Sequence, residues 1–199
     1  MLKAVIFDWG GVLIRTVDAS GRRKWERRLG LPLYAVDRVV HGSRSWKQAQ
    51  SGLITDAEYW ADVADQLGLD EAQVAEFRHD YFGGDHLDQE MAEFIRELRP
   101  QFKTALLSNA SPQLPELLDE LEVTPLFDVI VVSGMVGVQK PDPAIYHLVL
   151  ERLGLAPGEA IFVDDFAVNV EAAGRVGMQT LHFRAGMDWR GELARRLEI

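Results

Sequence analysis

The stretch KAVIFDWGGVL, from Lys3 to Leu13, decides the fold of this chain. Its apolar run Ala4–Phe7 is short and partly β-branched, which is typical of a strand buried in a parallel sheet. The run ends at Asp8, and a turn with Gly10 and Gly11 follows. In open parallel sheets, ligands bind at the carboxyl ends of the strands. Asp8 is therefore the first candidate functional residue.

Further apolar runs and helix-like segments alternate along the second half of the chain. The runs are Thr104–Leu107, Val129–Val132, Ala160–Val163 and Thr180–Phe183, and the helix-like segments are Glu116–Glu122, Ala144–Leu153 and Val168–Val176. This alternation predicts an α/β fold whose core is a doubly wound (Rossmann-like) parallel sheet.

Residues 16–86 differ, because they carry almost no strand signal and several helical ones. Thr55–Glu58 reads as a capping box, and Asp70 stands where it can cap a second helix. We therefore expect an α/β core domain of residues 1–15 and 87–199, with a small helical cap of residues 16–86 inserted after the first strand. The aromatic residues Trp60 and Phe77 of this segment are expected to be buried.

Composition narrows the function. The chain has 199 residues, is 47% apolar, and has a formal net charge of −10 and no cysteine. The absence of cysteine excludes disulfides, thiolate catalysis and cysteine-ligated metals, so hard cations bound by oxygen become the favoured metal chemistry. The negative charge argues against nucleic acid and membrane partners. No apolar stretch suggests a signal peptide or a membrane span, so we expect a cytoplasmic protein, of an oligomeric state that the sequence leaves unknown.

Four of the apolar runs lead into polar residues of reactive type. These are Asp8, the pair Ser108 and Asn109, the loop to Lys140, and the pair Asp164 and Asp165. The carboxyl ends of parallel strands share one edge of the sheet, so these side chains are expected to converge. Clustered carboxylates are costly unless a cation neutralises them, and Mg²⁺ suits one or two carboxylates with phosphate oxygens.

These segments resemble the ordered motifs of the haloacid dehalogenase-like hydrolases. The matching stretches are FDWGGVL (7–13), LLSNAS (106–111), GVQKPDPAIY (137–146) and FVDDFAVNVEAAGRVGM (162–178). The inserted segment is similar to the small helical cap of the phosphatase domain of soluble epoxide hydrolases and of bacterial sugar-phosphate phosphatases. The resemblance implies a phosphatase that acts on a small phosphorylated metabolite.

The resemblance also implies roles for individual residues. Asp8 would be the nucleophile that forms an aspartyl-phosphate, with Ser108 and Lys140 as the other catalytic residues. Magnesium would be held by Asp8, the carbonyl of Gly10, Asp164 and Asp165, and Asn169 would orient the acidic pair. The expected substrate-binding residues are Trp9, Trp46, Ser108, Asn109 and Lys140.

The sequence departs from the family pattern at Gly10, where most such phosphatases carry an aspartate that serves as general acid and base. Water, or Asp18 or His41 from the cap, would have to replace it. Two alternatives stay open for this reason. One is a metal-independent 2-haloacid dehalogenase, although those enzymes lack the metal-binding pair found here at Asp164 and Asp165. The other is a catalytically inactive binding or regulatory homologue.

Overall fold

The computed structural model describes all residues from Met1 to Ile199. Its central feature is a five-stranded, entirely parallel sheet in the order β5-β4-β1-β6-β7. The strands of this sheet are β1 (Ala4–Phe7), β4 (Lys103–Ser108), β5 (Val129–Val132), β6 (Ala160–Asp164) and β7 (Gln179–His182). The two remaining strands, β2 (Ile14–Thr16) and β3 (Asp85–Leu87), form a separate antiparallel pair.

The helices of the first half are α1 (Ser20–Arg28), α2 (Ala35–Gly42), α3 (Arg44–Ala49), α4 (Asp56–Leu67), α5 (Glu71–Phe82) and α6 (Gln89–Leu98). Those of the second half are α7 (Leu114–Glu120), α8 (Ser133–Val136), α9 (Pro143–Leu153), α10 (Ala167–Val176) and α11 (Trp189–Leu197). None of these helices combines the length and the apolar character that crossing a membrane needs.

The parallel sheet is covered on both faces, as a doubly wound fold requires. Along β1, Val5 and Phe7 pack into one apolar cluster with residues of α6, α7 and α11, whereas Ala4 and Ile6 pack into a second cluster with residues of α9 and α10. Successive side chains of a strand point to opposite faces, so every residue of the run is buried. The predicted fold class is confirmed.

Helices α1 to α5 form a third apolar cluster of their own, which includes Trp25, Trp60 and Phe77. Both predicted helix starts are present, because Thr55 and Asp70 each cap their helix within a reciprocal capping box. The two aromatic residues that we expected to be buried, Trp60 and Phe77, are buried. The division into a core domain of residues 1–15 and 87–199 and a cap of residues 16–86 remains our proposal.

The structure corrects several boundaries. β3 lies at the end of the segment 16–86, which carried almost no strand signal. It pairs with β2, and the two strands form the ribbon through which the chain enters and leaves the helices of the cap. Each strand has three residues and is only partly buried, so its sequence shows neither alternation nor an apolar run. Helix α7 begins two residues before the predicted Glu116, and β7 is shifted by one residue from the prediction.

Candidate active site

Asp8 and Asp164 lie at the carboxyl ends of the neighbouring strands β1 and β6, and Lys140 bridges them. The Lys140 Nζ atom is 2.8 Å from Asp8 Oδ1 and 2.7 Å from Asp164 Oδ2, and it donates a third bond to the carbonyl of Leu107 at 3.0 Å. All three side chains are buried. The two carboxylates and the carbonyl lie against the ammonium and fix the position of its charge.

The charges at this site shift each other's protonation. Burial raises the pKa of Asp8 to about 7; the Lys140 ammonium acts against this shift, and the Asp164 carboxylate adds to it. Burial works against the charged form of Lys140, but the two carboxylates outweigh it and hold the pKa of Lys140 above its ordinary value. Asp8 therefore depends on nearby positive charge to be ionised at neutral pH.

Asp165 completes a group of carboxylates suited to a metal ion. The candidate ligand oxygens of Asp8, Asp164 and Asp165 all lie within 4.8 Å of one another. Asp165 Oδ1 is buried and has no hydrogen-bond partner, and burial together with Asp164 raises the pKa of this group. Three carboxylates around one ammonium, with an oxygen left unpaired, are the donor set of a hard divalent cation. These residues therefore fit Mg²⁺.

A side-chain amide and a backbone N–H hold the first carboxylate of the acidic pair, Asp164, in place. Asn169 Nδ2 lies 3.1 Å from both oxygens of Asp164, and the backbone N–H of Phe166 donates to Asp164 Oδ1 at 2.7 Å. Asn169 thus contacts the first member of the pair but makes no hydrogen bond to Asp165. Gly11 has a φ of +77°, and a Cβ at this position would overlap the carboxylate of Asp165. A glycine is needed here on both counts.

Ser108 is the last residue of β4, the strand beside β1 in the sheet, and Asn109 follows it directly. The side chain of Ser108 is buried. The carboxamide of Asn109 is fully engaged with the backbone of Lys140: its Nδ2 donates to the Lys140 carbonyl and its Oδ1 accepts from the Lys140 N–H, both at 2.8 Å. The side chain of Asn109 therefore positions Lys140, and its expected contact with substrate stays a prediction.

Trp9, expected to contact substrate, has its indole buried in the apolar cluster on one face of the sheet. Its backbone N–H donates to Asp8 Oδ1 at 2.7 Å. A contact between Trp9 and substrate stays a prediction. Trp46 is half-buried in the cap, where its ring packs between those of His41 and Tyr59. Its contact with substrate stays a prediction.

Neither of the two cap residues considered as the general acid makes a hydrogen bond with the acidic group. Asp18 accepts two hydrogen bonds from Ser20 at the start of α1, and these bonds lower its pKa, which disfavours it as an acid. His41 packs against aromatic rings of the cap and makes no hydrogen bond with the acidic group. At Gly10 itself, a Cβ would meet no atom within 4 Å, so the position has room for a side chain.

Two residues at the site were not foreseen from the sequence. His182 Nε2 is 3.0 Å from the carbonyl of Asp165, so β7 supports the acidic pair. Gln50, at the end of α3, donates from its Nε2 to the carbonyl of Asn109 at 2.8 Å. Neither residue belongs to a recognisable motif, and only the pairing of distant segments brings them here.

Comparison with known proteins agrees with this geometry. A sesquiterpene phosphatase of Aspergillus oryzae is 32% identical over 185 residues, covering 90% of this chain and 89% of that protein. An (S)-2-haloacid dehalogenase of Xanthobacter autotrophicus is 32% identical over 189 residues, covering 89% of this chain and 73% of the relative. A Bacteroides thetaiotaomicron enzyme has been crystallised in complex with magnesium and inorganic phosphate. Its structure superposes on this chain with a TM-score of 0.80 at 22% identity, covering 96% of this chain and 99% of that one. The family model of the haloacid dehalogenase-like hydrolases matches residues 2–177, and the chain belongs to this family.

Proposed function

We propose that this chain is a magnesium-dependent phosphatase that hydrolyses a small phosphorylated metabolite, with sugar phosphates among the candidates, through a phosphorylated Asp8. The observation that carries the proposal is the group of the buried Asp8 and Asp164 and the half-buried Asp165, with the Lys140 ammonium against the first two. Such a group can hold a divalent cation beside the nucleophile, as a metal-dependent phosphatase requires. A relative that is named as a phosphatase supports the same function.

Asp8 is the nucleophile of the proposed reaction. One of its carboxylate oxygens attacks phosphorus, the bond from phosphorus to the ester oxygen breaks, and the leaving oxygen takes a proton from water to become an alcohol. Water then attacks the phosphorus of the aspartyl-phosphate. The bond to Asp8 breaks, the proton of the attacking water passes to solvent, and inorganic phosphate is released with Asp8 restored as a carboxylate.

Lys140 and the loop after β4 prepare this attack. A carboxylate and a phosphate charge about 4 Å apart repel each other by about 4 kcal/mol at an effective dielectric of about 20. The Lys140 ammonium lies against Asp8 and reduces this repulsion through its charge. Ser108 and neighbouring backbone N–H groups would hold a phosphoryl oxygen.

The magnesium ion would be held by Asp8, Asp164, Asp165 and the carbonyl of Gly10. When bound, it supplies positive charge that stabilises the negative oxygens of the phosphoryl group. The unpaired buried oxygen of Asp165 is the feature that argues for it most directly. The solved relative whose complex contains magnesium and phosphate supports the choice of ion.

A haloacid dehalogenase is the second candidate, favoured by Gly10 and by the dehalogenase relative. A halide leaving group needs no proton, so the missing acid would not matter. The carboxylate group around Lys140 argues against it, because attack on a haloacid requires no cation at Asp165.

One assay separates the two candidates. We expect hydrolysis of an aryl phosphate in the presence of Mg²⁺, its loss in excess chelator, and its loss in Asp8→Asn, while Asp119→Asn, at an exposed position on α7, retains wild-type turnover. Undiminished turnover in chelator contradicts the proposal. Chloride release from 2-chloropropionate without metal establishes the dehalogenase, and the absence of both activities in the folded protein supports an inactive homologue.

A further inference from the structure

The helices of the cap are joined to the α/β core by very few polar contacts. The hydrogen bond from Gln50 Nε2 to the carbonyl of Asn109 is the only hydrogen bond or ion pair between residues 20–82 and residues 1–13 or 88–199. All other polar contacts of these helices lie within the cap or reach its ribbon, as when Arg22 pairs with Asp85 on β3. The cap is therefore joined to the core by the two strands of the ribbon and by one hydrogen bond.

Apolar packing does not replace the missing polar contacts. The buried apolar residues of the helices form a cluster separate from the two clusters that cover the sheet. A continuous core would make separation of the two parts as costly as unfolding. Without one, the position of the cap depends on the local contacts where it meets the core.

The acceptor of the Gln50 bond is held rigidly. Asn109 is fixed by its two reciprocal bonds with the backbone of Lys140. The backbone N–H of the next residue, Ala110, donates to Ser133 Oγ at 3.1 Å. A fixed acceptor lowers the entropy lost when the bond forms. The bond also ends on the residue that positions Lys140, next to Ser108.

Gly52 permits the close approach that the bond requires. Its φ is +67°, and a Cβ at this position would overlap the carbonyl oxygen of Gly134, at the start of α8. Gly134 is itself tied by its N–H to the carbonyl of Ala110 at 3.0 Å. The segment from Gln50 to Gly52 therefore rests on the loops after β4 and β5.

The reacting groups have little access to solvent. Asp8 is 6% exposed and Ser108 3% exposed, and the Lys140 ammonium is enclosed by its partners. We infer that the hydrogen bond between Gln50 and Asn109 is a latch that keeps the cap closed over Asp8, and that ligands enter and leave by breaking it. This inference rests on the proposed function only in the choice of phosphate as the ligand. The hydrogen bond itself is present without a ligand.

The latch predicts a specific kinetic signature. If ligands pass only through the open form, loss of the latch raises the population of that form and speeds association and dissociation by the same factor. One ordinary hydrogen bond corresponds to a factor of about three to ten. The dissociation constant stays within about twofold, because the latch is present both in the free closed protein and in the closed complex.

The test uses Gln50→Met, which keeps the side-chain length and removes the donor, with Gln48→Met on the same helix as control. Gln48 is half-buried, and its side chain makes no hydrogen bond. Binding of inorganic phosphate with Mg²⁺ is followed by stopped-flow tryptophan fluorescence, and hydrogen exchange of residues 50–53 and 108–111 is followed in the free protein. We expect both rate constants and the exchange rates of these segments to rise about three- to tenfold in Gln50→Met and to stay unchanged in Gln48→Met.

A second pair of variants covers the case in which Gln50→Met does not fold. Gly52→Ala should push the cap from the core, whereas Gly68→Ala, with a φ of +66° and no atom within 4 Å of its Cβ, carries the same backbone strain without the overlap. Faster exchange in Gly52→Ala alone supports the latch. Wild-type exchange in both Gln50→Met and Gly52→Ala overturns it, as does a weaker phosphate affinity without faster rates. If the wild type binds no phosphate, the proposed function fails while the exchange data still decide the latch.

Discussion

Replacing Lys140 by Met removes the ammonium from the centre of the site while keeping most of the side-chain volume. At an effective dielectric of about 20, the attraction to Asp8 at 2.8 Å and to Asp164 at 2.7 Å is each about 6 kcal/mol. Desolvation offsets most of this, and breaking a buried pair by removing one partner costs about 3–5 kcal/mol. We expect Lys140→Met to lower the free energy of unfolding by that amount when no divalent cation is present.

The measurement is urea unfolding of wild type and Lys140→Met in chelator and in Mg²⁺. A bound divalent cation neutralises the same carboxylates, so Mg²⁺ should recover a large part of the lost stability, more than it adds to the wild type. Turnover of an aryl phosphate should still fall by about a hundredfold or more, because the charge beside Asp8 is lost from the transition state as well. Lys103→Met serves as control, since its ammonium bonds only the carbonyl of Leu153 near the surface; it should change stability by less than about 1 kcal/mol.

The reasoning fails if Lys140→Met is as stable as wild type in chelator, because the carboxylates would then not need the ammonium. If Mg²⁺ stabilises neither protein, the proposed binding of Mg²⁺ by these carboxylates is wrong. A stable, fully active variant would remove Lys140 from the proposed mechanism.

Three further predictions concern the same site. Gly10→Asp should raise the turnover of alkyl phosphates more than that of aryl phosphates, by up to about a hundredfold, because an acid helps poor leaving groups most. There is space for the side chain at this position. If the wild-type rate is independent of leaving-group basicity while chemistry is rate-limiting, another acid is present. Burial raises the pKa of Asp8 in the folded state to about 7. Protonation of Asp8 therefore contributes to the free energy of unfolding completely below about pH 4, and this contribution is lost as the pH rises through about 7. In chelator, wild type should therefore lose stability relative to Asp8→Asn over this range, and parallel pH curves from urea unfolding would contradict the shift. Gly11→Ala should displace the carboxylate of Asp165 and raise the Mg²⁺ concentration for half-maximal activity at least about tenfold. Gly186→Ala, at a φ of +80° with no atom near its Cβ, should leave this concentration unchanged. Equal concentrations in the two variants would exclude Asp165 as a ligand.

The sequence by itself determined that the core is a parallel sheet and which reactive residues follow its strands. The run from Ala4 to Phe7 is apolar at every position because both faces of a parallel sheet are covered, and this is visible without knowing any partner. The capping boxes at Thr55 and Asp70 are equally readable, because their hydrogen bonds close within four residues. Because parallel strands align their carboxyl ends, Asp8 and Asp164 were expected together although they are far apart in the chain, and the structure places them on adjacent strands.

Only the tertiary structure decided how these residues are held and reached. The ribbon of β2 and β3 is too short to leave a pattern, and its pairing joins residues about seventy positions apart. Trp9 follows the nucleophile in sequence, yet the turn after β1 directs its indole into the core. Asn109 reads as a substrate ligand, but its carboxamide is taken by the backbone of Lys140, and Gln50 reaches it from the cap. Each of these contacts is set by where distant backbone segments meet, and a sequence motif records the reactive side chain but not the partner that fixes it.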